Sequence, residues 1–303
     1  MINVAFAADD NYAVPVTVAM TSLLINKKDE INLYLLYIKG KFSIKNQERL
    51  KRQINKLGST IHFVVLNPEE LLDFPILRHG LSAYLRIYSP FLIKDIDKLL
   101  YLDCDIIVRK PLDSLYFSDI ENSEFAAVAD IVDSKEKDHL CNIGYSYNRP
   151  YVNTGVLLLN FKKLRNNDLK GMMFPYVSKY KEYIKYSDQD VINCLWEKIN
   201  ILPPKYNLMN SLTTGFSLDD SPWSEEEIKE ALDDPYVIHY SNMFKPWYWG
   251  TRHKYKKEWY KYLKYTHYSN SYTVFDVKII SKLIKLYTKS LISRLCIVVS
   301  KYI

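Results

Sequence analysis

Residues 98–108 read Lys-Leu-Leu-Tyr-Leu-Asp-Cys-Asp-Ile-Ile-Val, in which two carboxylates, Asp103 and Asp105, interrupt an apolar run. The apolar residues before them predict a buried strand that ends at Asp103. Positions i and i+2 of an extended segment project to the same side, so the carboxylates should converge while Cys104 points away. Converging carboxylates are unfavourable without a cation, and their hard oxygen atoms suit Mg²⁺ or Mn²⁺. A surface turn beside the basic residues that follow is the alternative.

Outward from this stretch, short apolar runs alternate with amphipathic segments over the first two-thirds of the chain. The predicted strands cover Ile2–Ala7, Ile31–Ile38, residues 61–66, Lys98–Leu102, Phe125–Ala129 and residues 156–159, and the predicted helices cover residues 14–25, 43–57, 81–91 and 188–196. This alternation predicts an α/β fold with parallel strand pairing and helices on both faces of the sheet. Ligands of such sheets bind outside the carboxyl ends of the strands, where Asp9, Asn11, Asp103, Asp105 and Asp130 are expected.

The composition narrows the class of protein. Apolar residues make up 48% of the 303 residues, which suffices for a core and argues against disorder. Neither the GxGxxG nor the GxxxxGKS pattern occurs, so a nucleotide would have to be bound by another device. The four cysteines are scattered without a CxxC pair, which favours a reduced, cytosolic chain. The first residues do not resemble a signal peptide, and no apolar run is long enough to span a membrane.

The net charge of +6 is divided unevenly along the chain. Residues 252–303 contain 12 Lys and Arg but only two acidic residues, a balance of +10, so the remainder carries a balance of −4. A mildly acidic body is therefore followed by a strongly basic tail. This asymmetry predicts that the tail has an anionic partner of its own.

From Lys278 onward the tail has the pattern of an amphipathic helix. One predicted face carries Ile280, Ile284, Tyr287, Leu291, Leu295, Val298 and Tyr302, and the opposite face carries Lys278, Lys282, Lys285 and Lys289. A basic amphipathic helix is typical of attachment to anionic lipid, and the upstream aromatic residues Tyr255, Trp259, Tyr260, Tyr262 and Tyr265 are typical of a membrane interface. Residues 251–303 are thus predicted to be a membrane-association segment that follows a domain of residues 1–250. A helix packed on that domain is the alternative, and no nucleic-acid-binding motif is visible.

Six collinear segments resemble the family 8 retaining glycosyltransferases. They are Phe-Ala-Ala-Asp-Asp-Asn-Tyr at 6–12, the helix over 82–87 with Arg86, the stretch from Tyr101 through Asp103-Cys-Asp105 to Leu115, Tyr-Val-Asn-Thr-Gly-Val-Leu-Leu-Leu-Asn at 151–160, Ser-Asp-Gln-Asp at 187–190, and His-Tyr-Ser-Asn-Met-Phe-Lys-Pro-Trp at 239–247. From the first to the last, these segments span about four-fifths of the chain, and they occur in the order the family has them. Within the family, the likeness is to the bacterial lipooligosaccharide galactosyltransferases.

The resemblance implies a GT-A type nucleotide-sugar-binding fold with a mixed, mainly parallel sheet. It implies transfer of galactose (or glucose) from a UDP-hexose to an oligosaccharide or glycolipid of the cell surface, with retention of configuration and with Mn²⁺ (Mg²⁺ possible) held by Asp103, Asp105 and His239. The implied donor-binding residues are Ala7, Ala8, Asp9, Asn11, Arg86, Asp103, Cys104, Asp105, Asn153, Thr154, Asp188, Gln189, His239, Asn242 and Lys245. The implied catalytic residues are Asp188, Gln189 and Lys245, and the acceptor-side residues are Asp130 and His79.

Each of these positions also has an ordinary structural interpretation. Asp9 or Asn11 could cap a helix, and Asp188 and Gln189 could simply begin one. His239 could be a strand-end residue, and Lys245 a solvated lysine. The family has Gly where this chain has Asn242; Asn tolerates positive φ, so the loop could survive while a backbone contact made possible by Gly is in doubt.

Two other functions compete with galactose transfer. One is a UDP-glucose-dependent glucosyltransferase, and the other is a catalytically silent, membrane-bound protein that binds sugar nucleotides or glycans. The expected location is the cytoplasm, on the inner face of the plasma membrane. The sequence does not identify the acceptor. It also does not decide whether transfer proceeds by double displacement or by same-face attack.

Overall fold

The predicted alternation of strands and helices is present in the computed structural model, which describes residues 1–71, 80–132, 136–166, 168–213, 221–268 and 272–299. Its strands are β1 (Ile2–Ala7), β2 (Ile31–Ile38), β3 (Thr60–Leu66), β4 (Lys98–Leu102), β5 (Ile106–Val108), β6 (Phe125–Ala129), β7 (Val152–Asn160), β8 (Ile199–Ile201) and β9 (Val237–His239). Its helices are α1 (Ala13–Ile25), α2 (Ile44–Lys56), α3 (Leu85–Leu92), α4 (Asp113–Tyr116), α5 (Lys137–Asn142), α6 (Phe161–Leu164), α7 (Leu169–Tyr180), α8 (Asp188–Leu195), α9 (Asn210–Thr213), α10 (Glu225–Asp233), α11 (Lys256–Leu263) and α12 (Val277–Val299).

Among the described residues, seven strands form one sheet in the order β3-β2-β1-β4-β7-β6-β8. The pairs β1–β2, β2–β3, β1–β4 and β6–β8 are parallel, whereas β7 runs antiparallel to both β4 and β6. The predicted mixed, mainly parallel sheet is therefore confirmed. The sequence did not reveal the direction of β7, because strands buried on both faces are uniformly apolar whether they are parallel or antiparallel.

Alternate residues of the central strands enter two separate cores. On β4, Leu100 and Leu102 face the core that is covered by α1, α2 and α10, whereas Leu99 and Tyr101 face the core covered by α3, α6, α7 and α8. This two-sided burial follows from the period of two in an extended strand. Because β4 is the middle strand of the seven and is packed on both sides, Asp103 and Asp105 follow a strand that is held firmly in the core.

A two-stranded antiparallel sheet lies beside the end of β4. In it, β5 pairs with β9, with Ile106 opposite His239 and Val108 opposite Val237. The backbone N–H of Tyr240 also donates to the carbonyl oxygen of Asp105 at 2.9 Å. This pairing carries His239 from a distant part of the chain to the turn that holds the two aspartates.

The upstream part of the tail packs into the body. Trp259 and Tyr262 on α11 are buried in a cluster with Val18 on α1 and Ile107 on β5. The prediction that these two aromatic residues belong to a membrane interface is therefore wrong, because α11 needs them to cover the apolar side of α1. The division of the chain at residue 250 stays a prediction.

The predicted tail helix is present as α12, and its first turns contact the body. Ile279 and Leu283 are buried, and the Tyr287 hydroxyl donates to the Gly250 carbonyl oxygen at 3.1 Å. Ile284, on the predicted apolar face, is 60% exposed. The side chains of residues 289–299 and all of residues 300–303 lie outside the description. No helix within the described ranges combines the length and the apolarity needed to cross a membrane.

Candidate active site

A cleft of about 680 Å³ opens where the carboxyl ends of β1, β4 and β6 meet the amino end of β7. Because β7 is antiparallel, its first residues reach the edge of the sheet at which its neighbours end. The cleft is lined by Ala7, Ala8, Asp9, Asn11, Arg86, Asp103, Cys104, Asp105, Asp130, Asn153, Thr154, Asp188, Gln189, His239, Asn242 and Lys245. These are all the donor-binding residues implied by the resemblance, with Asp130 beside them. His79, the other residue predicted on the acceptor side, lies outside the described residues.

Asp103, Asp105 and His239 form a cluster that could hold a divalent cation. One ligand atom from each lies within 4.8 Å of the others. The His239 Nε2 atom is 3.3 Å from Asp105 Oδ1 and 3.8 Å from Asp103 Oδ2. The aspartates lie in the turn between β4 and β5, and their carboxylates converge as predicted. Two carboxylates and an imidazole are a donor set that suits Mn²⁺ or Mg²⁺.

Cys104 joins the same turn to the end of β1. Its thiol donates to the carbonyl oxygen of Ala7 at 3.0 Å, and its side chain is buried. Burial raises the pKa of this thiol well above its usual range, with the flanking aspartates contributing. Cys104 therefore acts in the fold as a neutral, unreactive link between two strand ends.

Lys245 is buried beside Asp105. Its ammonium group forms an ion pair with Asp105 and donates to the Tyr240 carbonyl oxygen at 2.6 Å, so Lys245 is not a solvated lysine. Burial alone would raise the pKa of Asp105, but Lys245 and His239 hold it below its usual range. The cluster therefore presents an ionised Asp105 carboxylate with a fixed positive charge at its side.

From its position on α3, Arg86 connects the end of β4, the first residues of β7 and the start of α8. It donates from Nη2 to Asp103 Oδ1 at 2.8 Å and from Nη1 to the Thr154 carbonyl oxygen at 2.5 Å, and its Nε lies 3.0 Å from Asp188 Oδ2. The guanidinium group lies 4.5 Å from the ring centroid of Tyr101. Burial opposes its charge, but Asp103 and Asp188 outweigh burial and raise the pKa of Arg86. Arg86 thus stays charged inside the cleft wall.

Asp188, at the start of α8, is a buried carboxylate whose cationic partner among the described residues is Arg86. Burial raises its pKa to about 6, although Arg86 opposes this. The Thr154 hydroxyl donates to Asp188 Oδ2 at 3.0 Å. The first residue of α8 is thus held to α3 by a charged contact with Arg86 and to β7 by a neutral contact with Thr154.

Gln189 is fixed by hydrogen bonds through both ends of its amide. Its Oε1 accepts from Asn153 Nδ2 at 3.2 Å and from the Thr154 backbone N–H at 3.3 Å. Its Nε2 donates to Asp130 Oδ2 at 3.3 Å. Burial also raises the pKa of Asp130, against the hydrogen bonds of Asn153 and Gln189. Three side chains, from the end of β6, from β7 and from α8, thereby form one connected wall of the cleft together with the Thr154 backbone.

At the opposite end of the cleft, the polar residues after β1 serve the local backbone as well. Asp9 caps the short 3-10 turn Asp10–Tyr12, with its Oδ1 accepting from the Asn11 backbone N–H at 3.0 Å. The predicted capping role of one of these residues is confirmed, and both still line the cleft.

The loop at Asn242 does not use positive φ. Within the described ranges, the non-glycine residue with positive φ is Ser187, at 52°. Asn242 instead accepts through Oδ1 from the Phe244 backbone N–H at 2.8 Å, and its own N–H faces Asn210 Oδ1 at 3.4 Å. The loop therefore does not depend on the tolerance of Asn for positive φ, because the Asn242 side chain closes the turn itself.

Three residues that sequence reasoning gave no role contribute to this geometry. Asp190 is fully buried and accepts from the Tyr151 hydroxyl at 2.6 Å and from two backbone N–H groups ahead of α8. Gly155 leaves the space in which the His239 ring lies, since a Cβ there would be 2.7 Å from Nδ1. Asn207 lies against the same ring. Asp190 and Gly155 were visible within the quoted motifs, whereas nothing local to Asn207 indicates its contact.

Known proteins resemble this chain over a range that includes the residues named above as lining the cleft. The profile of the family described as "Glycosyl transferase family 8" matches residues 3–249. General stress protein A of Bacillus subtilis is 26% identical over 278 residues, covering 88% of this chain and 94% of that protein. A lipopolysaccharide 1,2-glucosyltransferase of Escherichia coli is 28% identical over 280 residues, covering 90% of this chain and 78% of that protein.

Solved structures show the same architecture. The crystal structure of the galactosyltransferase LgtC, in complex with donor and acceptor sugar analogues, has a TM-score of 0.78 and 28% identity. The match covers 88% of this chain and 97% of that one. The GT-A type fold that the sequence predicted is therefore confirmed.

Proposed function

The chain belongs to glycosyl transferase family 8 and is a glycosyltransferase, and from this premise we propose that it is a retaining hexosyltransferase that uses a UDP-sugar. The transferred sugar is galactose, with glucose as the alternative, and the acceptor is a glycan of the cell surface. The observation that carries the proposal is the cluster of Asp103, Asp105 and His239, with Lys245 and Arg86 at its side.

Asp103, Asp105 and His239 would hold the divalent cation, with Mn²⁺ preferred and Mg²⁺ possible. The donor set supports this, because carboxylate oxygens and a neutral imidazole bind such ions in proteins. When bound, the ion supplies positive charge that stabilises the departing UDP. Asp105 keeps its own charge in the buried cluster because Lys245 and His239 hold its pKa low.

Lys245 provides a second positive charge for the diphosphate. Its ammonium is buried at the cleft wall, where charge interactions are weakly screened. A donor diphosphate would share this ammonium with Asp105 and would gain stabilisation as its negative charge develops. The chemistry proposed for Lys245 is electrostatic and transfers no proton.

The hexose would lie between β7 and α8. Asn153, Thr154 and Asp188 offer a hydrogen-bonding wall for sugar hydroxyls, supported by the short distances within that wall. Gln189 Oε1 already accepts from Asn153 and from the Thr154 backbone, and a carboxamide oxygen is a weak nucleophile. Same-face attack by the acceptor is therefore favoured over a covalent intermediate on Gln189.

The remaining cleft residues divide between the nucleoside and the acceptor. Ala7, Ala8, Asp9 and Asn11, at and after the end of β1, would contact the uridine together with Cys104 of the adjacent β4–β5 turn, and Asn242 would lie beside the diphosphate. Asp130 would face the acceptor, and His79 is proposed on the same side. The acceptor class is supported by one similar protein, the lipopolysaccharide 1,2-glucosyltransferase of Escherichia coli.

A donor screen tests this proposal. The purified protein is given each common UDP-sugar with Mn²⁺ and a panel of soluble glycans, and released UDP is measured. Release from UDP-galactose is expected, with an α-linked product seen by NMR, and preference for UDP-glucose would select the alternative donor. Tight binding of UDP-sugars without any UDP release would contradict the proposal and favour a silent binding protein.

We also propose that the protein attaches through its tail to anionic lipid on the inner face of the plasma membrane. Ile284 and Leu286 on α12 are 60% and 50% exposed, and they lie beside the exposed Lys282 and Lys285. An exposed pair of apolar side chains flanked by lysines supports insertion between anionic headgroups.

Co-sedimentation with vesicles of anionic and neutral lipid tests the attachment. Ile284→Asp with Leu286→Asp should abolish binding, whereas Ile44→Asp is the control and should leave binding unchanged, because Ile44 is an isoleucine on α2 that is even more exposed, at 73%. Binding should weaken with added salt, since lysine contacts are screened. A wild-type protein that stays in solution at low salt would contradict the attachment.

A further inference from the structure

Asn207 lies between the wall of the cleft and the proposed metal ligand His239. It is fully buried, directly after the 3-10 turn Pro204–Tyr206. Its Oδ1 is 2.9 Å from His239 Nδ1, and its Nδ2 donates to Asn153 Oδ1 at 2.9 Å. The side chain thus contacts a residue of β7 and a residue of β9 at the same time.

The orientation of this chain of amides is fixed at one end by a backbone group. The Gly155 N–H, which can only donate, lies 3.0 Å from Asn153 Oδ1. Asn153 Oδ1 is therefore an acceptor, and the group of Asn207 that faces it must be the NH₂. The Oδ1 of Asn207 consequently faces His239 Nδ1 and must accept a hydrogen bond from an N–H at that atom.

We propose that Asn207 is a positioning residue that keeps a proton on His239 Nδ1. Nε2 is then the ring nitrogen that faces the carboxylates of Asp103 and Asp105, and it is left to bind the proposed cation through its lone pair. Free neutral histidine favours the opposite tautomer, with its proton on Nε2, and that tautomer cannot bind a metal through Nε2. The consequence of this proton for metal binding rests on the proposed function, whereas its assignment to His239 Nδ1 does not.

Asn207 also connects the proposed sugar site to the proposed metal site. The Asn153 amide that receives its hydrogen bond donates in turn to Gln189 Oε1 at 3.2 Å and to Asp130 Oδ2 at 3.3 Å. A single row of amides therefore runs from the wall for the hexose to the imidazole. Hydrogen-bond partners of this kind orient metal-binding histidines and raise their affinity for metal.

Two substitutions separate the functions of the two ends of Asn207. Asn207→Asp keeps an acceptor for His239 Nδ1 but removes the donor to Asn153. Asn207→Leu removes both, at nearly the same volume. Asn210→Leu is the matched control, because Asn210 is a buried cleft asparagine whose side chain contacts His253 at 2.7 Å and not His239.

The test is NMR of protein labelled with ¹⁵N-histidine at pH 8 without metal or donor, with the His239 signal identified by its loss in His239→Gln. The wild type, Asn207→Asp and Asn210→Leu should carry a proton on Nδ1, whether or not Nε2 also carries one, and Asn207→Leu should lose the Nδ1 proton in favour of Nε2. A wild-type His239 without a proton on Nδ1 overturns the inference. The wild-type spectrum decides this even if a variant does not fold.

Mn²⁺ binding, followed by electron paramagnetic resonance without donor, provides the second readout. Asn207→Leu should weaken Mn²⁺ binding roughly 10- to 100-fold, whereas Asn207→Asp should bind at least as tightly as the wild type. Equal affinity of Asn207→Leu and wild type overturns the inference. A wild type that has the predicted tautomer but binds no Mn²⁺ would contradict the proposed function and leave the proton assignment supported.

Discussion

At the scale of single residues, the cluster of Asp103, Asp105 and His239 depends on the absence of a side chain at Gly155. Gly155 has no Cβ, and the His239 imidazole occupies the space where one would lie. Its φ is not positive, so this glycine is needed for room and not for backbone conformation. We expect Gly155→Ala to lower the free energy of unfolding by about 2 kcal/mol, as overpacking does, measured by urea denaturation.

The same substitution in a His239→Ala background isolates the cause. With the imidazole removed, the added methyl group has room, and the loss of stability should largely disappear. An equal loss in both backgrounds would mean that Gly155 is needed for another reason.

Asp188 gives the cleft a dependence on pH. Burial raises its pKa to about 6, so the folded protein binds this proton more tightly than the unfolded chain does. Its contribution to stability is therefore complete below about pH 4 and is lost as the pH rises through about 6. We expect the stability of the wild type relative to Asp188→Asn to increase by about 1 kcal/mol from pH 7 to pH 5. Urea denaturation at both pH values measures this, and a constant difference would contradict it.

How far the site could be predicted depends on where each residue's partners lie. Asp103 and Asp105 are close in sequence, so extended geometry alone predicted their convergence. His239 entered only through a motif, and Asn207 not at all, since its contact with His239 joins residues 32 positions apart. Such contacts are set by tertiary packing, and no local periodicity indicates them.

At the scale of elements, the strong periodic segments were predictable and the short ones were not. The six predicted strands and four predicted helices are present, and β7 begins at Val152, four residues earlier than expected. The pairing of β5 with β9, each three residues long, could not be predicted from sequence, because so short a run has no distinguishing pattern. Yet this pairing brings His239 to the aspartates.

The tail helix α12 carries both buried and exposed apolar residues, and two adjacent positions show the difference. Leu283 is 4% exposed against the body, whereas Ile284 is 60% exposed. We expect Leu283→Ala to lower the free energy of unfolding by about 2 kcal/mol, and Ile284→Ala to change it by no more than about 0.5 kcal/mol. Thermal and urea denaturation of both variants measure this. Equal effects would show that α12 does not pack on the body as described.

At the scale of the whole molecule, the fold and the family were accessible because six motifs occur in order along the chain. The match of the family profile to residues 3–249 confirms that order. The acidic body and basic tail belong to the same scale, since no local segment reveals the difference in charge. The hydrogen bonds inside the cleft wall could not be predicted from the sequence, because they join amide side chains from distant parts of the chain.

The central claim is that Asp103, Asp105 and His239 hold a metal on which sugar transfer depends. The most direct test is the rate of UDP release from UDP-galactose and UDP-glucose, with Mn²⁺ and with EDTA, by the wild type and by Asp103→Asn/Asp105→Asn. The wild type should be roughly 100-fold faster with Mn²⁺, a difference of nearly 3 kcal/mol in barrier, and the double variant should stay at the EDTA rate in both conditions. A wild type that turns over as fast in EDTA as in Mn²⁺ would contradict the claim.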